Sequence, residues 1–377
     1  MNLMRLLAVA RKEFLHVLRD PTSLGLALAI PAMLLVLFGY ALRMDVENVP
    51  LAVLDHSRTR RSRDFLALYE SSRYFSLTRR ARTYREVEDA LDTGEAVLAL
   101  VVPADFESRI ARGRDCEVQA IVDGSEPNIA GLALAYAQAT AATESVRLAE
   151  RALARRGVRV PSPPLELATR VWFNPDLESK DFIVPGLVAL VMMVVGALLT
   201  SLTVAREWER GTMEQLISTP VSARELIAGK LIPYFVVGSL DVVIAVAMGS
   251  LVFGVPIRGS VFLVFAYTSV FLVGALALGF VVSVVTRSQL LANQLAFITT
   301  LLPTFLLSGF AFPISNMPGP VRLATYLVPA RYLVFAMRAI YAKGLGLGAL
   351  ALELVLLSAF AIAMLTLAMG RFVKRLS

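Results

Sequence analysis

Between residues 205 and 220 the chain reads Ala-Arg-Glu-Trp-Glu-Arg-Gly-Thr-Met-Glu-Gln-Leu-Ile-Ser-Thr-Pro, a charged segment set between two long apolar stretches. On its residues alone such a segment is either a solvated hairpin tying two spans together or a contact for another chain. Glu207, Arg210 and Glu214, at i, i+3 and i+7, share one face of a short helix that Pro220 ends, with Leu216 and Ile217 on another side. Ser222-Ala-Arg-Glu225 then has capping-box spacing, which starts a second helix. Asp241 lies 11 residues beyond Lys230. At 1.5 Å per residue it sits roughly 16 Å deep, near the middle of a bilayer. A carboxylate there costs on the order of 3 kcal/mol on insertion scales. It implies a conformational or substrate-path role, or pairing with a hydroxyl or backbone group of a neighbouring helix.

Catalytic constellations are absent. No GxxxxGK[ST] phosphate loop occurs. Gly344-x-Gly346-x-Gly348 lacks the lysine of such a loop and leads into an apolar helix, so tight helix packing is expected of it. His16 and His56 stand alone, and one cysteine, Cys116, forms no internal disulfide. These residues predict no metal site and no cofactor in this chain.

The elements that must hold the charged segment are membrane helices. Of 377 residues 56% are hydrophobic and 18% charged, with mean hydropathy +0.66, which excludes an ordinary soluble enzyme. The fold class expected is an α-helical integral membrane protein with six spans, near 22–42, 182–204, 231–254, 260–285, 291–312 and 346–370. Residues 1–21 form an amphipathic interfacial helix. Leu3, Leu6, Leu7, Ala10, Phe14, Val17 and Leu18 share its apolar face, with Arg5, Lys12 and Arg19 opposite at the phosphates. The first span, 22–43 with its flank, is too long for a signal-peptide core and no small-residue cleavage site comes after it, so it is retained. Segment 313–345, broken by Pro313, Pro318, Pro320 and Pro329, forms short re-entrant helices.

Residues 44–181 read as an inserted α/β domain. Strands are expected at Pro50–Asp55, Val97–Val102, Val118–Asp123 and Ala168–Phe173. Helices are expected at Ser62–Tyr74, Tyr84–Leu91, Asp105–Arg112 and about Asn128–Arg156, then Gly157 and a stiff connector at Pro161, Pro163 and Pro164. Strand order is not readable. The domain carries a net charge of −3 and the remainder +10, the reverse of a nucleic-acid binder. With the N-terminus inside, the inner loops hold 12 Lys/Arg and the outer short loops 5. Both termini are then cytoplasmic and residues 44–181 extracytoplasmic.

Several segments together resemble the membrane subunit of ABC-2-type ATP-binding-cassette exporters, in the subgroup with a large external domain after the first helix. They are Ala205–Pro220, Gly229-Lys230-Leu-Ile-Pro233-Tyr234-Phe235, Asn174-Pro175-x-Leu177-x-Ser179-x-x-Phe182, Leu307-Ser308-Gly309-Phe310-x-Phe312-Pro313-Ile314-x-x-Met317-Pro318, and Pro329-x-Arg331-Tyr332 with Arg338. The similarity covers essentially the whole chain, in the family's order.

The resemblance implies that the segment 205–220, with Glu207, Glu209, Arg210, Gly211, Thr212, Glu214 and Leu216, is the coupling helix that meets a separate ATP-hydrolysing subunit. It implies that Ser308, Gly309, Phe312 and Pro313 end the fifth span and open the re-entrant helices beside the transport path. It further implies two ATPase subunits, which hold ATP and Mg, and a second permease copy or paralogue. In two-membrane bacteria close relatives often work with a periplasmic adaptor and an outer-membrane duct. The function implied is a permease for export of an amphiphilic or drug-like compound across the bacterial inner membrane, with no covalent chemistry in this chain. A non-transporting receptor or assembly protein on the same scaffold would have no need of the coupling segment, and a membrane-embedded enzyme would need the missing constellation.

Overall fold

The computed structural model describes residues 2–19, 21–41, 48–155, 172–174 and 178–372. It divides into two compact units: Met1–Arg43 with Arg170–Ser377, and Met44–Thr169. Residues 170–181, assigned from sequence to the α/β domain, group with the helical unit.

The chain begins with α1 (Leu3–Arg19) and α2 (Pro21–Ala41), whose apolar run Leu28–Tyr40 is described. The second unit contains β1 (Val49–Asp55), α3 (Arg60–Glu70), β2 (Phe75–Ala81), α4 (Tyr84–Asp92), β3 (Leu98–Val102), α5 (Phe106–Ala111), β4 (Gln119–Val122) and the long α6 (Pro127–Arg155). The sheet order is β2-β1-β3-β4. β1 runs parallel to β2 and β3, and β4 is antiparallel to β3. Thr59 and Ser62 close a capping box at the start of α3. Sequence reading passed over β2, whose Arg79 and Arg80 hide a strand. It is an edge strand, where charged side chains are usual because one side faces no partner. Of the expected strand Ala168–Phe173, residues 168–171 lie outside the described ones, and Trp172 and Phe173 are not extended in a sheet. Gly157 and the proline connector also lie outside them.

The first unit continues with α7 (Lys180–Glu209), α8 (Thr212–Ser218), α9 (Ala223–Leu251), α10 (Val261–Thr286) and α11 (Gln289–Leu307). A 3-10 turn (Ile314–Asn316), α12 (Gly319–Ala324), a second 3-10 turn (Thr325–Leu327), α13 (Pro329–Arg338), a π turn (Ala339–Lys343) and α14 (Ala351–Arg371) complete it. Among the described residues α7, α9, α10, α11 and α14 are long and apolar enough to cross a bilayer. Gly319–Leu327 and Pro329–Lys343 meet at 88°, the bend expected of a proline-broken segment between 313 and 345.

α7 is apolar all round and is buried from Ile183 to Ala197, as a helix surrounded by helices must be. It packs against α2, α9, α10, α11 and α13. Its last turns are held to α10 by polar contacts of small residues. Thr200 Oγ1 donates to the Leu276 carbonyl at 2.7 Å, and Ser283 Oγ accepts from the amides of Val204 and Ala205 at 3.0 and 2.9 Å. α11 and α14 expose apolar faces instead, including Phe297, Ile298 and Leu302 on one and Leu352, Val355 and Ile362 on the other.

Four sequence expectations change. The second span runs on to Glu209 rather than ending at 204. The fifth stops at Leu307, because Ser308 and Gly309 turn the chain where 291–312 was expected to continue. The last begins at Ala351 rather than 346. Gly346 and Gly348 lie in the preceding loop and meet open space, so they do not serve tight helix packing, whereas Gly344 takes a left-handed φ of 65° after the π turn.

A close approach holds α1 on α9. A Cβ placed on Gly229 would lie 2.8 Å from Val9 Cβ and 3.1 Å from the Leu6 carbonyl oxygen. The change Gly229→Ala should therefore cost about 1–3 kcal/mol by overpacking. Gly131→Ala in α6, where the added carbon meets open space, should be neutral or slightly stabilising. Thermal unfolding of the two variants in detergent compares them; equal melting points would contradict the packing.

Candidate functional site

α1 presents three faces. Leu6, Val9 and Ala10 are buried against α9, and Glu13 continues their row at helical spacing. Leu3, Leu7, Phe14 and Leu18, expected on the same apolar face, are exposed on another. The helix therefore buries one stripe in protein and leaves a second for an apolar medium. Arg5, Lys12 and Arg19 occupy the remaining side.

Beside Gly229, Lys230 is 1% exposed. Its Nζ lies 2.9 Å from Glu13 Oε1 and 2.9 Å from Glu207 Oε1. Lys12 Nζ closes the cluster at 3.1 Å from Glu207 Oε1 and 3.5 Å from Glu13 Oε1. Two ammoniums and two carboxylates from α1, α7 and α9 thus neutralise one another, with Lys230, Glu13 and Glu207 buried and Lys12 closing the cluster from the exposed side. Burial pushes the Glu13 carboxyl up, but Lys230 and then Lys12 outweigh it and hold it below the usual glutamate range. Burial likewise lowers Lys12, and Glu207 and Glu13 more than reverse that, leaving the amine above its usual value. The start of α1 is tied down nearby. The Asn2 amide and the Ser222 amide donate to the two oxygens of Glu225, and Arg5 donates to the Pro220 carbonyl. Ser222 and Glu225 close the capping box expected from their spacing.

The segment 205–220 is not one helix. α7 carries it to Glu209, Gly211 takes a left-handed φ of 69° that breaks the helix, and α8 ends at Ser218, before the residue that precedes Pro220. Glu207, Arg210 and Glu214 therefore share no continuous face. Glu207 points inward to Lys12 and Lys230, which removes it from any outer surface. Glu209 accepts hydrogen bonds from the amide and side chain of Gln289 and so caps α11. The Arg287 guanidinium lies 4.5 Å over the Trp208 ring, which fixes the same turn. Glu209, Arg210, Gly211 and Thr212 are exposed. The backbone of α8 includes Glu214 and Leu216, whose side chains lie outside those described. A cavity of about 420 Å³ opens here, and its wall includes the cluster itself, Lys12, Glu13, Glu207 and Lys230, with Arg206 and Arg210.

At the other end of α7 the turn after α11 is built around Ser308 and Arg338. Ser308 is buried, and its Oγ accepts the Phe310 amide at 3.2 Å. The Arg338 guanidinium donates to the carbonyls of Phe182, Gly309 and Phe310 at 3.1, 2.8 and 3.1 Å. Phe312 is exposed, and Pro313 starts the 3-10 turn. In α9, Asp241 is 1% exposed, and neither carboxylate oxygen has a hydrogen-bond partner among the described residues.

The structure brings Glu207 together with Lys230, and Ser308 with Gly309 near Arg338; Asp241 stands apart from both groups. Sequence reading missed Glu13 and the pairing role of Lys12. The signal available was a carboxylate in register with Leu6 and Ala10, on a helix read for its apolar residues alone.

Comparison with known proteins gives a match of residues 22–369 to the family described as ABC-2 family transporter protein. The chain is 35% identical over 341 residues, 90% of its length and 89% of the relative's, to a probable multidrug ABC transporter permease, YbhS, of Escherichia coli. It is 28% identical over 342 residues, 90% of each chain, to a second such permease, YbhR, of the same bacterium. To the inner membrane transport permease YhhJ of Escherichia coli it is 28% identical over 299 residues, 78% of this chain and 77% of that one.

Removing one member of a buried pair strands the other, so Lys230→Met should destabilise the protein by about 3–5 kcal/mol. A pH series adds a sign. Glu13, lowered on folding, contributes stability that is present above its unfolded value and lost only as pH falls through its folded one. Lys12, raised on folding, loses its contribution only as pH rises through its folded value. Glu13 and Lys12 therefore add no slope to the parent melting point from about pH 5 to 8. In Lys230→Met the less-compensated Glu13 takes up a proton within that window, and the melting point rises as pH is lowered. A level profile in the variant would contradict the cluster.

Proposed function

The chain belongs to the ABC-2 transporter family, and on that premise we propose that it is the permease subunit of an exporter for amphiphilic or drug-like compounds, driven by a separate ATP-binding subunit. The multidrug designation of YbhS and YbhR supports the substrate class. The observation that carries the coupling is the exposed strip Glu209–Thr212 mounted on a buried ion-pair platform. Force applied to Arg210, Gly211 and Thr212 reaches α7 directly, and reaches α1 and α9 through Lys12, Glu13 and Lys230. A solvated hairpin would need no such backing.

In this reading two ATPase copies bind ATP and Mg, and this chain performs no covalent chemistry. ATP closes the ATPases, which press on α8 and the end of α7. A path between two permease copies, walled by α7 and α11, then changes sides. Such switching requires that the substrate bind the two states unequally. The protein lies in the bacterial inner membrane with both termini and α8 in the cytoplasm and residues 44–181 outside, where they gate the exit or dock an adaptor that leads to an outer-membrane duct. The 12-to-5 distribution of basic residues supports this orientation. Ser308, Gly309, Phe312 and Pro313 shape the outer end of the path, and Asp241 serves it or the conformational change.

Two substitutions test the reading. In the co-purified complex, Arg210→Glu with Glu214→Lys should weaken ATPase association by at least about thirtyfold, or abolish substrate-stimulated hydrolysis, since desolvated charge pairs are worth about 2–5 kcal/mol and ~1.4 kcal/mol is tenfold. Undiminished association and stimulation would make the segment a solvated turn. Asp241→Asn removes the insertion cost and the charge together. Transport should change while the amount of inserted protein does not; normal transport would leave Asp241 a structural residue.

A further inference from the structure

The turn after α11 is closed by a guanidinium. Arg338 makes no ion pair with a carboxylate among the described residues, yet three of its N–H groups are spent on the carbonyls of Phe182, Gly309 and Phe310. Its guanidinium also lies 3.4 Å over the Phe182 ring. The bonds go to two separate parts of the chain: the first turn of α7, and the exit from α11. α11 ends at Leu307, so on that side Arg338 bonds the turn just beyond the helix, at Gly309 and Phe310. The packing there is close as well. A Cβ on Gly186 would come within 2.7 Å of the Phe310 ring and 3.3 Å of Arg338 Nη2.

Hydrogen bonds to neutral carbonyls are weaker and less demanding of geometry than bidentate pairing with a carboxylate. One guanidinium bridging two helices by such bonds can be made and broken repeatedly. We propose that Arg338 is a positioning residue for transport: it latches the outer ends of α7 and α11 together, and the latch releases each time the path opens outward. The proposal rests on the permease reading, in which α7 and α11 wall the path. It goes beyond that reading in naming the residue that keeps the outer end shut and the carbonyls it holds.

The test uses the complete complex in proteoliposomes. Cys116 is the chain's single cysteine, so Cys116→Ser gives a cysteine-free background. Into it goes Ile183→Cys, next to Phe182 and only 3% exposed. A membrane-impermeant maleimide should label this cysteine slowly without nucleotide. Adding Arg338→Gln should raise the rate by on the order of tenfold and lower the substrate moved per ATP hydrolysed. Arg338→Lys, which keeps the charge and some donors, should restore part of both. Should Arg338→Gln fail to assemble, Phe182→Leu keeps the carbonyl but removes the ring, and should raise labelling by about threefold. Labelling at the parental rate in every assembled variant overturns the latch. So does faster labelling with an unchanged ratio of substrate to ATP, which marks Arg338 as fold support alone. Co-purification of the ATPase is scored in the same samples, so a failed latch is distinguishable from a failed permease reading.

Discussion

Lys230 is an ammonium almost entirely removed from water, and a charge in that position is tolerated only when paired and hydrogen-bonded. Glu13 and Glu207 supply the pairing, each at 2.9 Å, and Lys12 balances the second carboxylate. The cluster is a constraint on the whole helical unit, because its members come from three helices. α1 is obliged to lie on α9, and α9 needs a glycine at 229 to let it approach. α7 has to extend beyond its apolar stretch far enough to deliver Glu207. These three requirements make a single body at one end of the bundle, from which Arg210 to Thr212 project.

α7 connects that body to the opposite end. Its 30 residues span about 45 Å at 1.5 Å per residue, enough to cross a bilayer with a turn to spare. Because it is buried all round from Ile183 to Ala197, it has no free face on which to slide independently of its neighbours. The two ends are held by different chemistry. The Glu207 end is fixed by charges paired with one another, and the Phe182 end by one guanidinium on neutral carbonyls.

Much of this arrangement was legible in the residues, and the gaps have physical causes. Long apolar runs located α7, α9, α10, α11 and α14, since hydrocarbon thickness leaves few other uses for them. The capping box at Ser222 and Glu225 was visible because it depends on two residues three apart. β1, β3 and β4 were readable as apolar runs, while β2, an edge strand carrying arginines, was not. The ion-pair cluster was out of reach for a different reason. Lys12 and Glu13 lie about 200 residues from Glu207 and Lys230 in the chain, and nothing in α1 read alone marks Glu13 as buried beside α9. Gly211 likewise read as part of one coupling helix, whereas it ends α7 and separates Glu207 from Glu214.

The central claim is that α1, the end of α7 and the start of α9 move as one body when the ATP-binding partner changes state. Hydrogen–deuterium exchange of the purified complex, with and without a non-hydrolysable ATP analogue, addresses it directly. The account predicts that the amides of Leu3–Arg19, of residues 205–218 and of the first turns of α9 change protection together, in the same direction and over the same range of nucleotide concentration. A nucleotide-dependent change confined to residues 205–218, with α1 unaffected, would contradict it.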